Sequence, residues 1–266
     1  MTESAVTDPT TALLDVEGLT KRYSGLVALS EYELRLAPHS IHGVIGPNGA
    51  GKTTLFNLLS GMVQPTAGSI RFGGVDITAH AAHDVARAGI ARTFQNIRLF
   101  GDMTAIDNVK VAVQQRLPIS LAMTLISSPS YRRNEADVTE HARPILDRMG
   151  LGAMADRQAS SLPYGDQRRL EIARAVATNP RILLLDEPNA GMNPTETAEL
   201  LDLIRRLRDE LGLTVILVAH DIPLVMGLCD RIQVLNHGEL IADGPPTTVR
   251  NDPDVITAYL GRASDA

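Results

Sequence analysis

Cysteine is almost missing from this chain: Cys229 is the only one. A lone thiol excludes an internal disulfide framework and fits a reducing compartment, with Cys229 expected as a small buried apolar residue. Excess positive charge is also missing. The 25 basic side chains face 31 acidic ones, a formal net charge of −6, which argues against a dedicated nucleic-acid binder. Long apolar runs are absent, the longest being ILLL at 182–185 and VILVA at 215–219, far short of a membrane span. The first residues, MTESAVTDPTTALL, lack a basic stretch followed by an apolar one, so no signal peptide is expected. If a membrane is involved, another subunit crosses it. Solenoid-length repeats and low-complexity tracts are lacking. The histidines His39, His42, His80, His83, His141 and His237 show no metal-ligand spacing beyond the pair at 80 and 83.

What is present suits one or two globular domains: 266 residues, 44% hydrophobic. Residues 1–10 are polar and read as a tail. From Leu13 to Leu36 the alternation of apolar and polar residues predicts strands joined by a Ser24-Gly25 turn. Ile41 to Ile45 reads as a short strand running into a glycine loop, followed by a helix from Lys52 to Ser60 that Gly61 stops. Residues 97–178 are mostly helical in pattern, without a convincing buried strand. They read as a helical subdomain inserted into an α/β core of residues 11–96 and 179–266. Within 97–178, the apolar run Leu117 to Ile126, followed by Pro129, Tyr131, Arg132 and Arg133, reads as a packed helix. The core resumes with a buried strand at Ile182 to Leu185. Asn193-Pro194-Thr195-Glu196 is a strong helix start, with Asn as N-cap, Pro at N1 and Glu at N3, for a helix reaching Leu211. Thr214 to Val218 reads as another buried strand, and Ile232 to Leu235 with Glu239 to Ala242 as a hairpin. Strands alternating with helices predict a largely parallel, two-sided α/β sheet.

Five motifs carry the chemistry. Gly46-Pro47-Asn48-Gly49-Ala50-Gly51-Lys52-Thr53, with Thr54 after it, fits the G-x-x-x-x-G-K-[ST] phosphate loop. Glycines let backbone N–H groups wrap phosphates, and the helix that follows offers its positive end. Lys52 is expected on the β- and γ-phosphates and the Thr53 hydroxyl on Mg²⁺. Leu183-Leu184-Leu185-Asp186-Glu187 is an apolar strand ending in two acids: Asp186 to hold Mg²⁺, Glu187 to act as general base toward water. Gln95, in ARTFQNIRLF, has an amide able to reach both Mg²⁺ and water. His220, in ILVAHD, can donate to a γ-phosphate. Tyr23, in KRYSGLVAL, offers a face for adenine, with Val27 packing nearby.

These residues resemble the ATP-binding subunits of ABC transporters over nearly the whole chain. Within that family the resemblance is to the G-type ATPase of Liv-type high-affinity importers of branched-chain amino acids. It rests on ARTFQNIRLF, LPYGDQRRLEIARA, LLLDEPNAGMNP and DPDVITAYLG. The fold it implies is a P-loop NTPase core with an N-terminal antiparallel β subdomain and an inserted helical subdomain. The resemblance makes Tyr23 the adenine-stacking aromatic, Gln95 the Q-loop glutamine and His220 the switch histidine. Leu162, Pro163, Tyr164, Gly165, Asp166 and Gln167 occupy the signature that faces ATP bound by an opposing subunit, and Asn193 the D-loop acid position. Pro163 stands where the signature serine is usual, which removes a hydroxyl donor. Asp166 is expected as a helix N-cap. The cofactors implied are ATP and Mg²⁺. The partners implied are a second ABC ATPase, as a heterodimer, two membrane permease subunits and, indirectly, an extracytoplasmic substrate-binding protein, with no nucleic acid. The place implied is the cytoplasmic face of the inner membrane, as a peripheral protein. Two other readings are a transporter ATPase for another cargo, whether urea, another amide or an exported substrate, and a soluble ABC-type ATPase.

Overall fold

The computed structural model describes residues 12–116 and 129–260, without the side chains of 129–134 and 260. The run Leu117 to Ile126 falls outside the described residues, as does the tail 1–10. The chain runs first through β1 (Leu14–Tyr23), β2 (Leu26–Leu36), β3 (Ile41–Ile45), α1 (Lys52–Leu59), β4 (Ala67–Phe72), β5 (Val75–Asp76) and α2 (Ala82–Ala88). It continues through β6 (Ile90–Arg92), α3 (Ala105–Gln114), α4 (Pro129–Arg148), α5 (Tyr164–Ala177), β7 (Ile182–Asp186) and α6 (Pro194–Leu211). The last elements are β8 (Thr214–Val218), α7 (Ile222–Leu228), β9 (Arg231–Asn236), β10 (Glu239–Gly244), α8 (Pro246–Val249) and α9 (Pro253–Leu260). Two compact units result, one from Met1–Ala88 with Arg208–Ala266, the other from Gly89–Leu207.

In the first unit, β1 pairs antiparallel with β2 and with β4, and β4 with β5. The alternation that predicts strands is visible in β2, where Tyr32, Leu34 and Leu36 are buried while Glu31, Glu33 and Arg35 are exposed. Side chains alternate across a pleated strand, so one face goes to the core. A second sheet sets β3 parallel between β8 and β9, with β10 antiparallel on β9. Every residue of β3 and of β8 is buried. Strands buried along their whole length are what a parallel sheet covered on both faces requires.

In the second unit, β6 runs parallel to β7, Ile90 opposite Ile182. Helices α3, α4 and α5 and two short 3₁₀ turns make up the regular structure described between 97 and 178. Thr104 caps α3, its hydroxyl accepting from the Asp107 N–H at 3.2 Å. At α6 the expected start is present as a reciprocal box: Asn193 Oδ1 accepts from the Glu196 N–H, and Glu196 Oε2 from the Asn193 N–H, both at 2.9 Å. Leu200, Leu203, Ile204 and Leu207 bury its inner face, the 3–4 spacing of an amphipathic helix.

Candidate nucleotide-binding and hydrolysis site

The phosphate loop leaves β3 at Gly46, whose φ is 154° and whose Cβ, if it had one, would lie 2.1 Å from the Leu235 carbonyl oxygen. Gly51 is similarly confined, at φ 105° with a Cβ position 2.7 Å from Ala28 O. Only glycine fits both places. The β9–β10 turn holds the loop from outside: the Gly238 N–H donates to Ala50 O at 3.0 Å, while Gly238 O accepts from the Ser30 N–H at 2.8 Å. Lys52 is buried and its ammonium donates to Gly46 O at 2.6 Å and Pro47 O at 2.9 Å, folded over the loop it would share with phosphates. Asn48, Gly49 and Thr53 are exposed, and Gly51 caps α1 without a side chain. A helix end capped without a side chain points its backbone N–H groups and the positive end of its dipole toward where an anion would sit. Tyr23 and Val27 lie on the β1–β2 hairpin, both exposed, with the Lys21 ammonium 5.0 Å from the Tyr23 ring centre. An exposed ring suits stacking on a base better than packing in a core. His220 is exposed one residue beyond the buried stretch from β8 to Ala219, and Asp221 beside it caps α7 through the Leu224 N–H at 3.1 Å.

In the second unit, β7 carries four buried apolar residues to Asp186, 7% exposed, and then to half-buried Glu187. Glu187 has φ 47°, a left-handed conformation uncommon outside glycine and asparagine and often found at functional sites. Gln95 Nε2 donates to Glu187 Oε2 at 3.1 Å. The two residues expected to manage water are thus in direct contact. Asp186 Oδ2 is paired with Arg92 at 3.0 Å, both side chains largely buried. Arg168, on α5, is fully buried and donates to Phe94 O (2.7 Å), Gln95 O (2.6 Å) and Glu171 Oε2 (2.7 Å). Glu171 Oε1 accepts from the Phe94 N–H at 3.3 Å. The helix after the signature therefore clamps the backbone that carries Gln95.

The expectation for Asp166 is corrected. Helix α5 begins at Tyr164 with Pro163 as N-cap, so Asp166 lies in the first turn. The fixed φ of proline starts the helix early, and the Gln167 N–H closes the first turn on Pro163 O at 2.9 Å. The Asp166 carboxylate still favours the positive helix end. Leu162 and Gly165 are buried; Pro163 and Tyr164 are exposed. The Tyr164 ring lies over Gly191 at φ 77°, where a Cβ would come within 3.2 Å of it. Arg92, Arg168 and Glu171 were not read from the sequence as functional. The available signal was an Arg and a Glu three residues apart on the α5 face that also carries Gly165 and Ile172.

A glycine loop between a buried strand and a helix, with a second strand ending in Asp-Glu and an amide-bearing Gln beside it, defines a P-loop ATPase. The ABC transporter family model matches residues 29–190, and a model for branched-chain amino acid ATP-binding cassette transporters matches 239–265. The chain belongs to the ABC transporter ATP-binding family. It is 50% identical over 251 residues to the high-affinity branched-chain amino acid transport ATP-binding protein LivG of Escherichia coli, covering 94% of this chain and 98% of that protein. To BraF of Pseudomonas aeruginosa it is 49% identical over the same shares. The crystal structure of the ADP conformation of an ABC transporter cassette matches with TM-score 0.81 and 28% identity, over 95% of this chain and all of that one. A dimeric post-hydrolysis cassette bound to ADP and phosphate matches with TM-score 0.73 and 25% identity, over 88% and 98%. Among the described residues no helix is long and apolar enough to cross a membrane.

Proposed function

We propose that this chain is the ATP-hydrolysing subunit of an importer of branched-chain or related amino acids. The observation that carries the hydrolytic role is the Gln95–Glu187 hydrogen bond at the end of β7. It puts a carboxylate, which can take a proton from water, beside an amide that can orient the same water. Lys52 and the backbone N–H groups around Gly49 and Gly51 bind the β- and γ-phosphates, and Tyr23 stacks on the adenine. His220 donates to the γ-phosphate. Thr53 and Asp186 offer the hard oxygen donors that Mg²⁺ takes, with Gln95 as a further oxygen. Mg²⁺ there neutralises charge on the phosphates. Glu187 polarises the water that attacks the γ-phosphorus, and ADP and phosphate leave without a covalent intermediate.

The cargo follows from the relatives, LivG and BraF, together with the 239–265 match. In this reading the chain works at the cytoplasmic face of the inner membrane, beside two permease subunits. Its partner is a second ABC ATPase, because one chain carries one phosphate loop and one signature. Uptake of labelled leucine, isoleucine and valine, measured in a strain lacking this chain, tests the reading. Rescue by wild type and not by Glu187→Gln, which keeps ATP binding, is the expected result. Unchanged uptake of all three would move the cargo to urea, another amide or an exported substrate.

A further inference from the structure

Asp186, the first acid at the end of β7, is engaged by a basic side chain of the neighbouring strand. Arg92 ends β6, and its Nη2 donates to Asp186 Oδ2 at 3.0 Å. The two side chains are only 8% and 10% exposed. Strand register explains the meeting. Arg92 pairs with Leu184 across the parallel strands, and Leu184 and Asp186, two residues apart, point to the same face. Arg92 therefore lies on the face that carries the carboxylate. The next residue fixes the backbone, the Thr93 N–H donating to Leu184 O at 2.9 Å. The guanidinium carbon lies 5.4 Å from the centre of the Phe94 ring, which covers it.

A guanidinium in that place bears on metal binding. A buried carboxylate whose charge is answered by an arginine presents little net charge to a divalent ion, and charges count for more out of water. Mg²⁺ gives up its waters reluctantly and is usually held through one or two carboxylates together with substrate phosphates. Asp186 gives Arg92 only Oδ2, which leaves Oδ1 for such a contact. The second acid is engaged as well, Glu187 Oε2 accepting from Gln95 Nε2 at 3.1 Å. The short stretch from Arg92 to Gln95 thus holds both acids, one by charge and one by an amide. Among the described residues no group of three or more His, Cys, Asp or Glu is placed to hold a metal ion by itself.

We infer that Arg92 is a positioning residue that ties metal binding to nucleotide binding. It neutralises Asp186, so that Mg²⁺ is held only in company with the phosphates, and it keeps the carboxylate in one orientation for that metal. This rests on the reading of Asp186 as a Mg²⁺ residue. Without the guanidinium the buried carboxylate is unanswered, and a divalent cation is its natural replacement. A pair that served only to fasten β6 to β7 would, when broken, cost stability and leave the response to metal unchanged.

The test compares the purified full chain as wild type, Arg92→Gln and Arg92→Lys, all without nucleotide. Mn²⁺, a paramagnetic substitute for Mg²⁺, is titrated and its resonance signal followed; melting is measured in EDTA and in millimolar Mg²⁺. Wild type and Arg92→Lys, which keeps the charge, should bind Mn²⁺ weakly and melt alike in EDTA and in Mg²⁺. Arg92→Gln should melt lower in EDTA, recover in Mg²⁺ and bind Mn²⁺ more tightly than wild type by about tenfold or more. Adding Asp186→Asn to Arg92→Gln should remove that gain. If Arg92→Gln does not fold in EDTA, refolding in Mg²⁺ carries the test: recovery of the folded chain supports the inference, and failure to recover overturns it.

Equal Mn²⁺ affinity in wild type and Arg92→Gln also overturns it, as does saturable micromolar Mn²⁺ binding to wild type without nucleotide. Asp186→Asn alone separates this inference from the reading beneath it. If Asp186→Asn leaves the Mn²⁺ affinity of the ADP-bound chain unchanged, Asp186 does not hold the metal and that reading fails. If it weakens that affinity while Arg92→Gln gains none without nucleotide, Asp186 keeps its role and the inference about Arg92 alone falls.

Discussion

Glu187, the proposed general base, also sits in a strained backbone conformation. Its φ of 47° places an ordinary L-residue in the left-handed region, at a cost of about 1–2 kcal/mol. Glycine escapes that cost but loses roughly 0.5–1 kcal/mol more chain entropy on folding. Both Glu187→Gly and Glu187→Ala should abolish hydrolysis. Because neither keeps the side chain, their difference in melting temperature reads the backbone alone, and the glycine variant should melt slightly higher. An alanine variant melting above the glycine variant would show that residue 187 is not held left-handed in solution. His42 gives a second residue-scale expectation. Its pKa falls from 6.5 to about 4 through burial, so the unfolded chain takes up the proton more readily than the folded one. The stability this contributes is fully present above pH 6.5 and is lost as the pH falls toward 4, on the order of 3 kcal/mol in all. Denaturant titrations of wild type and His42→Phe across that window should converge as the pH drops. Parallel pH profiles would rule out His42 as the source.

At the level of elements, helix starts illustrate what can be read from sequence. The Asn193–Glu196 box was legible because both partners are three residues apart and the chemistry is local. Asn193→Ala should cost about 1 kcal/mol, seen as a melting shift of a few degrees. The start of α5 was misread because Asp166 is a good N-cap by type, while Pro163, with its fixed φ, begins the helix three residues sooner. Strands β4, β5 and β6 were not anticipated, β5 and β6 having two and three residues, too few for a period of two to emerge. The clamp made by Arg168 was hidden for another reason: its partners, Phe94, Gln95 and Glu171, are fixed by tertiary packing more than 70 residues away for two of the three. Removing one member of a buried ion pair leaves the other charge unpaired, typically about 3–5 kcal/mol. Arg168→Met should therefore lower stability by that order and depress the ATPase rate, since the Gln95 backbone loses its anchor. Replacing both partners, Arg168→Met with Glu171→Leu, should recover much of the stability and little of the rate. Recovery of both together would mean that the clamp does not position Gln95.

For the whole molecule the decisive feature is that a complete phosphate loop is joined to an altered signature. A dimeric cassette with ADP and phosphate is among the chain's structural relatives, and in the heterodimer proposed for this chain the two half-sites are chemically unequal. In that reading the half-site that uses Lys52 and Glu187, completed by the partner's signature, is the competent one. The other faces Pro163, which offers neither a hydroxyl nor an N–H, at the mouth of a helix whose first turn holds Asp166. A hydrogen bond to a charged oxygen contributes about 1.5–3 kcal/mol, so restoring one should raise ATP affinity there by roughly tenfold or more. Pro163→Ser reconstructs the donor without touching Lys52 or Glu187. In the assembled transporter it should tighten ATP at the partner's half-site and raise or preserve turnover, whereas Glu187→Gln should stop transport with both nucleotides still bound. Combining the two separates the sites: if the half-site that uses Glu187 drives transport, the double variant stays inactive however tightly the repaired half-site holds ATP. Transport regained in the double variant would mean that the half-sites are interchangeable, and the asymmetry written into Pro163 would then have no mechanical role.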